Sequence, residues 1–489
     1  MAPGFSEIVE EARLSARALL DYGDSFFNPT VRLGVTGLSR AGKTVFITAL
    51  VHGLSRGGRF PVFESLATGR IARARLEPQP DDAVPRFAYE NHLRTLIEQR
   101  QWPNSTTDIS ELRLVIDYQR QNGADRTLTL DIVDYPGEWL LDLPLLNKSY
   151  QQWSAESLAL SRQEPRARLA AEWHAHLATL DPQADENEQA TLTAARLFTD
   201  YLRACRDERF AMSLLPPGRF LMPGNLAGSP ALTFAPLDVP VDGIAPDGSL
   251  CAMMRRRYEA YKDVVVRPFF RDHFSRLDRQ IVLVDALAAF NAGPEALHDL
   301  EAALAGILDC FRIGRSTMFS ALFRPRIDRI LFAATKADHL HHSSHDRLEA
   351  ILRRLLDPAA TRAELAGAAV DVVALAAVRA TREAQVQRGR DKLPSILGTP
   401  AKGEVAGDDT FDGETEVATF PGDLPVNLDA FFKGDGGFRG LTAASADKAD
   451  FRFLRFRPPR LDRDHGEEPA LPHIRLDRAL QFLIGDRLQ

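Results

Sequence analysis

Gly37-Leu38-Ser39-Arg40-Ala41-Gly42-Lys43-Thr44 follows a short apolar run, Val31-Arg32-Leu33-Gly34-Val35-Thr36, and the reading of this stretch decides the fold. Glycines at both ends let the backbone curl so that successive N–H groups face one concavity, and a helix beginning at Lys43 adds its positive dipole end. Such a loop cradles phosphate. Lys43 then reaches the β- and γ-phosphates, and the Thr44 hydroxyl ligates a magnesium ion bridging them. Gly37, Ser39, Arg40, Ala41 and Gly42 supply the surrounding backbone. A strand-turn-helix corner whose glycines serve geometry alone looks the same locally, so the rest of the chain has to decide.

Downstream, 109–118 and 126–133 alternate like paired strands joined by a turn at Asn122-Gly123. The second strand ends in Asp131-Ile132-Val133-Asp134-Tyr135-Pro136-Gly137-Glu138. A D-x-x-G quartet arises by chance about twice in such a chain. Its position after a phosphate loop and a hairpin is what gives it meaning: Asp134 can hold the magnesium shell, and the Gly137 N–H can meet a γ-phosphate. Further apolar strands are read at 280–285, 328–334 and 370–375, alternating with helices, which means a parallel sheet covered on both faces. Thr335-Lys336-Ala337-Asp338 follows the second of these, at the sheet edge where ligands bind. An aspartate there can accept from the N1–H and exocyclic amine of guanine, a pair adenine does not offer. The Lys336 stem can lie along the base.

These motifs, in this order, resemble the P-loop GTPases, with Thr335-Lys336-Ala337-Asp338 as a variant of their Asn-Lys-x-Asp. The resemblance implies an α/β fold with a Ras-like P-loop NTPase sheet, binding GTP or GDP with Mg2+. It nominates Ala376-Ala377-Val378 as the loop whose backbone, at Ala377 and Val378, meets the guanine carbonyl, although the usual serine is absent. It also nominates Thr106 or Thr107 as the switch threonine that closes on magnesium; if it is Thr107, that residue completes a metal set with Thr44 and Asp134. A closer resemblance, carried by the Gly37–Thr44 loop, Asp134–Glu138 and Val378-Arg379-Ala380-Thr381, is to the YcjX family of bacterial stress-associated P-loop proteins, and it extends over nearly the whole chain. It implies a cytoplasmic nucleotide-hydrolysing protein, in a family often described only as predicted ATPases.

Ras-like enzymes place glutamine after the D-x-x-G glycine, whereas Glu138 stands here. A carboxylate can accept a proton from water, which makes Glu138 a candidate base beside Lys43 and Arg40 in the catalytic set. Arg40 and Arg379 are candidates for a charge-stabilising arginine supplied in cis. The runner-up reading is a P-loop ATPase with Glu138 as base, and a third is a nucleotide-binding interaction module without useful turnover.

The 489 residues divide into an N-terminal helix (1–30), a first nucleotide-domain part with an insertion in the switch region (31–138), a helical insertion (139–274), the second nucleotide-domain part (275–385) and a mixed C-terminal region (386–489). The two insertions enter where switch segments belong and are expected to present a surface to a protein partner. A net charge of −7 gives no electrostatic footprint for nucleic acid. The amphipathic stretch 5–20 has an acidic polar face that fits docking on the protein's own core better than anionic lipid, so membrane association is at most peripheral. Cys205, Cys251 and Cys310 read as free thiols. His339, His341, His342 and His345 form a histidine-rich stretch without a recognised metal spacing. Arg255-Arg256-Arg257 reads as a solvated helix face.

Overall fold

The computed structural model describes residues 29–489 except 39, 105, 241–245, 311–326, 365–367, 389–390, 407, 423, 425–452 and 462–468. The stretch 5–20 and Ser39 lie outside the described residues. In chain order the principal elements are β1 (Thr30–Gly37), α1 (Lys43–Arg56), β2 (Ile71–Glu77), α2 (Tyr89–Ile97), β3 (Ser110–Gln119) and β4 (Asp125–Asp134). Then come α3 (Tyr150–Ser161), α4 (Glu188–Arg206) and α5 (Leu250–Tyr261), followed by β5 (Arg279–Val284), α6 (Ala286–Ala292), α7 (Pro294–Cys310), β6 (Arg329–Ala334), α8 (His345–Glu364) and β7 (Ala369–Ala374). Last are β8 (Arg382–Arg388), β9 (Asp391–Gly398), β10 (Val417–Thr419) and α9 (Leu476–Ile484).

A seven-stranded sheet runs β2-β3-β4-β1-β5-β6-β7. From β4 to β7 it is parallel, and its strands are apolar runs because helices cover both faces. The parallel register sets Val35 beside Asp134, Gly37 beside Leu283, and Ala334 beside both Val284 and Ala374. Every motif read from the sequence therefore leaves the sheet at the same edge.

One face packs on α1 and α9, where Leu33, Ile281 and Leu331 meet Phe46, Leu50, Leu480 and Leu483. The opposite face shares a core with the helical insertion: Val133, Val282 and Phe332 join Trp139, Trp153, Phe198 and Tyr258 in one cluster. The insertion is pinned further by a buried ion pair. Arg166, ahead of α4, donates to Asp299 on α7, and the other Asp299 oxygen accepts from the Ser213 and Leu214 amides at 2.6 and 2.8 Å.

The stretch 71–76, which reads in sequence as a strand within a segment 59–102 that a minimal nucleotide domain does without, is β2; it pairs antiparallel with β3 from Ile71 to Glu77 and extends the sheet. Two features depart from the sequence reading. Helix α6 was not anticipated; Asp285 caps it by accepting from the Ala288 amide at 3.1 Å. The stretch 451–456, whose sequence reads as a short strand, contributes only an isolated bridge at Phe456 to Pro400 among its described residues. In the basic triplet, read as a solvated face, Arg256 is exposed and pairs with Glu186, whereas Arg257 is largely covered, pairs with Glu188 and donates to the Thr233 hydroxyl. Among the described residues no helix is long and apolar enough to cross a membrane.

Breaking a buried ion pair strands the surviving charge. Asp299→Ala leaves Arg166 without its carboxylate, and is expected to lower unfolding stability by about 3 kcal/mol, read as a lower urea midpoint by circular dichroism.

Candidate functional site

The loop after β1 takes the conformation its glycines permit. Gly42 has φ +84°, and a Cβ there would meet nothing within 4 Å, so backbone conformation rather than crowding requires glycine. At Gly137 the reason is the reverse: an added Cβ would stand 2.3 Å from the Gly37 carbonyl oxygen. The D-x-x-G turn thus rests directly on the phosphate loop, and a side chain at 137 would force the two apart.

A cleft of about 560 Å³ opens at this edge. Its walls are Arg40–Phe46, Trp102–Asn104 and Thr106, then Thr335, Lys336, Asp338 and His339, Leu375–Val378, and Arg455 with Phe456. Most of the residues expected to bind nucleotide, Lys43, Thr44, Asp338, Ala377 and Val378 among them, are thereby brought to one cavity.

At the phosphate end three oxygen-bearing side chains converge. The Thr106 hydroxyl donates to Asp134 Oδ2 at 2.7 Å and stands 3.2 Å from the Thr44 hydroxyl. Of the pair left open by the sequence, Thr106 joins Thr44 and Asp134, and Thr107 does not line the cleft. Asp134 is buried, and its Oδ1 has no hydrogen-bond partner. Burial pushes its carboxyl up, while the Lys43 charge and the Thr106 hydrogen bond pull it down. An unmet carboxylate oxygen and two neighbouring hydroxyls make a hard donor set that fits Mg2+.

The other end is organised by Asp338, which is 4% exposed. Its Oδ2 accepts from the Ala380 amide at 2.8 Å, and Thr381 donates to its carbonyl. The two base-side loops are thus cross-linked. Lys336, with φ +61°, pairs its ammonium with Asp285 at the end of β5. The Ala376 and Arg379 amides are spent on carbonyls of the C-terminal segment, Ile474 at 3.1 Å and Pro472 at 2.7 Å. Between them Ala377 and Val378 line the cleft.

The catalytic candidates fare differently. Glu138 is buried, does not line the cleft, and directs Oε1 toward Arg206 Nε at 3.7 Å. Its neighbour Gly218 explains the placement: an added Cβ there would lie 2.0 Å from the Glu138 carbonyl, so the insertion presses on this turn. Arg40 lines the cleft but is ion-paired with Glu208, which also takes Arg455 at 3.3 Å. Arg379 turns away to Glu383 at 3.5 Å. The histidines disperse: His339 is buried against the Phe456 ring, His345 is buried, and His341 and His342 lie near Glu383 with ligand atoms within 4.8 Å of one another. Trp102, Glu208, Arg455 and Phe456 line the cleft and were not foreseen there. Asp285, which does not line it but holds Lys336, alone carried a signal, as an aspartate closing an apolar strand.

Asp142, in the turn after Gly137, accepts from the Gly218 amide and the Tyr261 hydroxyl, both at 2.6 Å, and so ties this turn to the insertion. Burial raises its carboxyl to about 6, against those hydrogen bonds. The folded state therefore holds a proton there that the unfolded chain has lost, and this contribution to stability falls as pH rises from about 4 to 6. Asp142→Asn removes that slope. Unfolding titrations at a series of pH values should show the variant gaining about 2–3 kcal/mol on the parent protein across this window.

The sequence model of the YcjX-like family, DUF463, matches residues 31–488. The chain is 39% identical over 477 residues to a protein of Escherichia coli (strain K12) named Ras-like GTPase YcjX, covering 94% of this chain and 96% of that protein. It is 34% identical over 492 residues to a protein of the same name from Shewanella oneidensis, covering 94% and 95%. The chain belongs to the YcjX-like family.

Proposed function

We propose that this YcjX-like protein binds GTP and GDP with Mg2+, hydrolyses GTP slowly, and works as a nucleotide-controlled switch. The observation that carries this reading is the single cleft lined by the phosphate loop, by Thr106 and by Asp338. The naming of two relatives as Ras-like GTPases supports it. Mg2+ would be held by Thr44, Thr106 and the free oxygen of Asp134, and would supply charge neutralisation between the β- and γ-phosphates. Lys43 compensates the same phosphates from the helix side. Asp338 reads N1–H and the exocyclic amine with its two oxygens, Oδ2 keeping a lone pair beside the Ala380 amide, while Ala377 and Val378 present backbone to the guanine carbonyl. A buried carboxylate rejects adenine because the unmatched base leaves its charge unpaired.

Glu138 held toward Arg206 is an arrangement for binding rather than turnover. Hydrolysis with Glu138 as base needs the turn from Gly137 to move, and the contacts of Asp142 and Gly218 oppose that movement. The same observation favours a second reading, a nucleotide-binding module without useful turnover. It weakens the ATPase alternative, which depends on Glu138 at the γ-phosphate. The segments 59–102 and 139–274 flank the switch residues and are the surfaces we assign to a protein partner. Placement in the cytoplasm and a part in a stress response follow from the family resemblance.

Base reading by Asp338 is tested by Asp338→Asn, which exchanges a carboxylate for an amide that complements xanthine. Affinity for GDP should fall at least about 100-fold, with xanthosine diphosphate becoming the better ligand in competition binding. Unchanged guanine preference would remove Asp338 from this role.

A further inference from the structure

The C-terminal region reaches the nucleotide cleft at two places, and both contacts fall on segments that a nucleotide switch must control. At the first, the Trp102 indole N–H donates to the Phe456 carbonyl at 2.6 Å. Two residues earlier, Arg100 Nε and Nη2 donate to the Pro458 carbonyl at 3.3 and 3.2 Å, and Arg457 Nε returns a bond to the Arg100 carbonyl at 3.4 Å. Arg100 has φ +50°, a left-handed conformation that costs a non-glycine residue and persists where surrounding bonds hold it. The strap is itself anchored, since the Arg457 amide donates to the Thr399 carbonyl at 2.8 Å and the Ala401 amide to the Arg455 carbonyl at 2.7 Å. At the second place, Pro472 and Ile474 take the Arg379 and Ala376 amides of the base-side loop.

Trp102 stands four residues before Thr106 in the chain. Asn104 presents its carbonyl to the Thr44 hydroxyl at 3.5 Å, and Thr106 stands on Asp134. A shift of the chain at 102 is therefore passed on to Thr106 within four residues.

We propose that Trp102 is a positioning residue: through its bond to the Phe456 carbonyl, the C-terminal strap holds 102–104 so that Thr106 stands at the metal corner, and so slows release of a magnesium-bound triphosphate. The strap occupies this place within the same chain. It is a built-in brake on nucleotide release, and a partner that lifts 456–458 from 100–102 would accelerate exchange without touching the nucleotide. The proposal rests on the nucleotide reading above and adds to it the element that sets the switch threonine.

The test is the release rate of a fluorescent non-hydrolysable GTP analogue from the full chain, chased with excess GTP, in Mg2+ and again in EDTA. Trp102→Phe keeps an aromatic ring and removes the donor. Trp102 is 38% exposed, which makes the substitution mild for the fold. Loss of one hydrogen bond predicts release about fivefold faster in Mg2+. Arg100→Met, at a residue outside the cleft lining, cuts the neighbouring bonds of the same joint; it should accelerate release in Mg2+ likewise and leave the rate in EDTA equal to that of the parent protein, since no metal then remains for Thr106 to hold. Unchanged release in Mg2+ for both variants overturns the proposal. Equal acceleration by Arg100→Met with and without Mg2+ also overturns it, because the joint would then act on the nucleotide without the metal corner. If the parent protein does not bind the analogue at all, the nucleotide reading itself fails.

Discussion

A buried carboxylate has to be compensated, and Asp134 is compensated on one side only. Thr106 satisfies Oδ2, Lys43 lies close enough to pull against the effect of burial, and Oδ1 is left without a partner. The cost is several kcal/mol for an unpaired buried charge, and a divalent cation would offset it. Much of the surrounding structure can be understood as holding this corner in place. The parallel register sets Asp134 beside Val35, Gly137 rests against Gly37, and the strand ends bring Asp338 to the far end of the same cleft.

The phosphate loop, the hairpin and the alternation of apolar strands with helices were legible because each is encoded locally, by glycine spacing, a two-residue period or a turn dipeptide. What the sequence could not show was contact between segments far apart in the chain. Thr106 and Thr107 are equivalent by spacing, and only the contacts of Thr106 with Thr44 and Asp134 separate them. Glu138 follows Gly137 in sequence as a base should, yet the insertion at Gly218 and the Arg206 guanidinium hold it elsewhere. Arg455 and Phe456 sit in a stretch whose alternation imitates a strand, and their place in the cleft arises from pairing with Pro400 and Trp102. β2 was visible as a strand, but its role as the sheet edge depends on a partner in β3 that periodicity cannot name.

The two large additions to the sheet act on opposite sides of the cleft. The insertion 139–274 shares a core with one sheet face and holds the turn after Gly137 through Asp142 and Gly218. The C-terminal region reaches across the mouth, bonding to 100–102 and to 376–379. Arg40 in the phosphate loop touches both, through Glu208 and, by way of that carboxylate, Arg455. A molecule built this way links the 37–44 loop, Thr106 and the 376–379 loop through groups outside the sheet, an arrangement that fits the switch proposed above.

The central claim is that one cleft holds a guanine nucleotide through Asp338 and a metal through Asp134. Calorimetric titration of the purified protein with GTP, GDP and ATP, each with and without Mg2+, tests it most directly. Saturable one-to-one binding of GTP and GDP is expected, with GTP binding strengthened by Mg2+ and ATP weaker by about 100-fold or more. ATP bound as tightly as GTP, or GTP affinity indifferent to Mg2+, would contradict it.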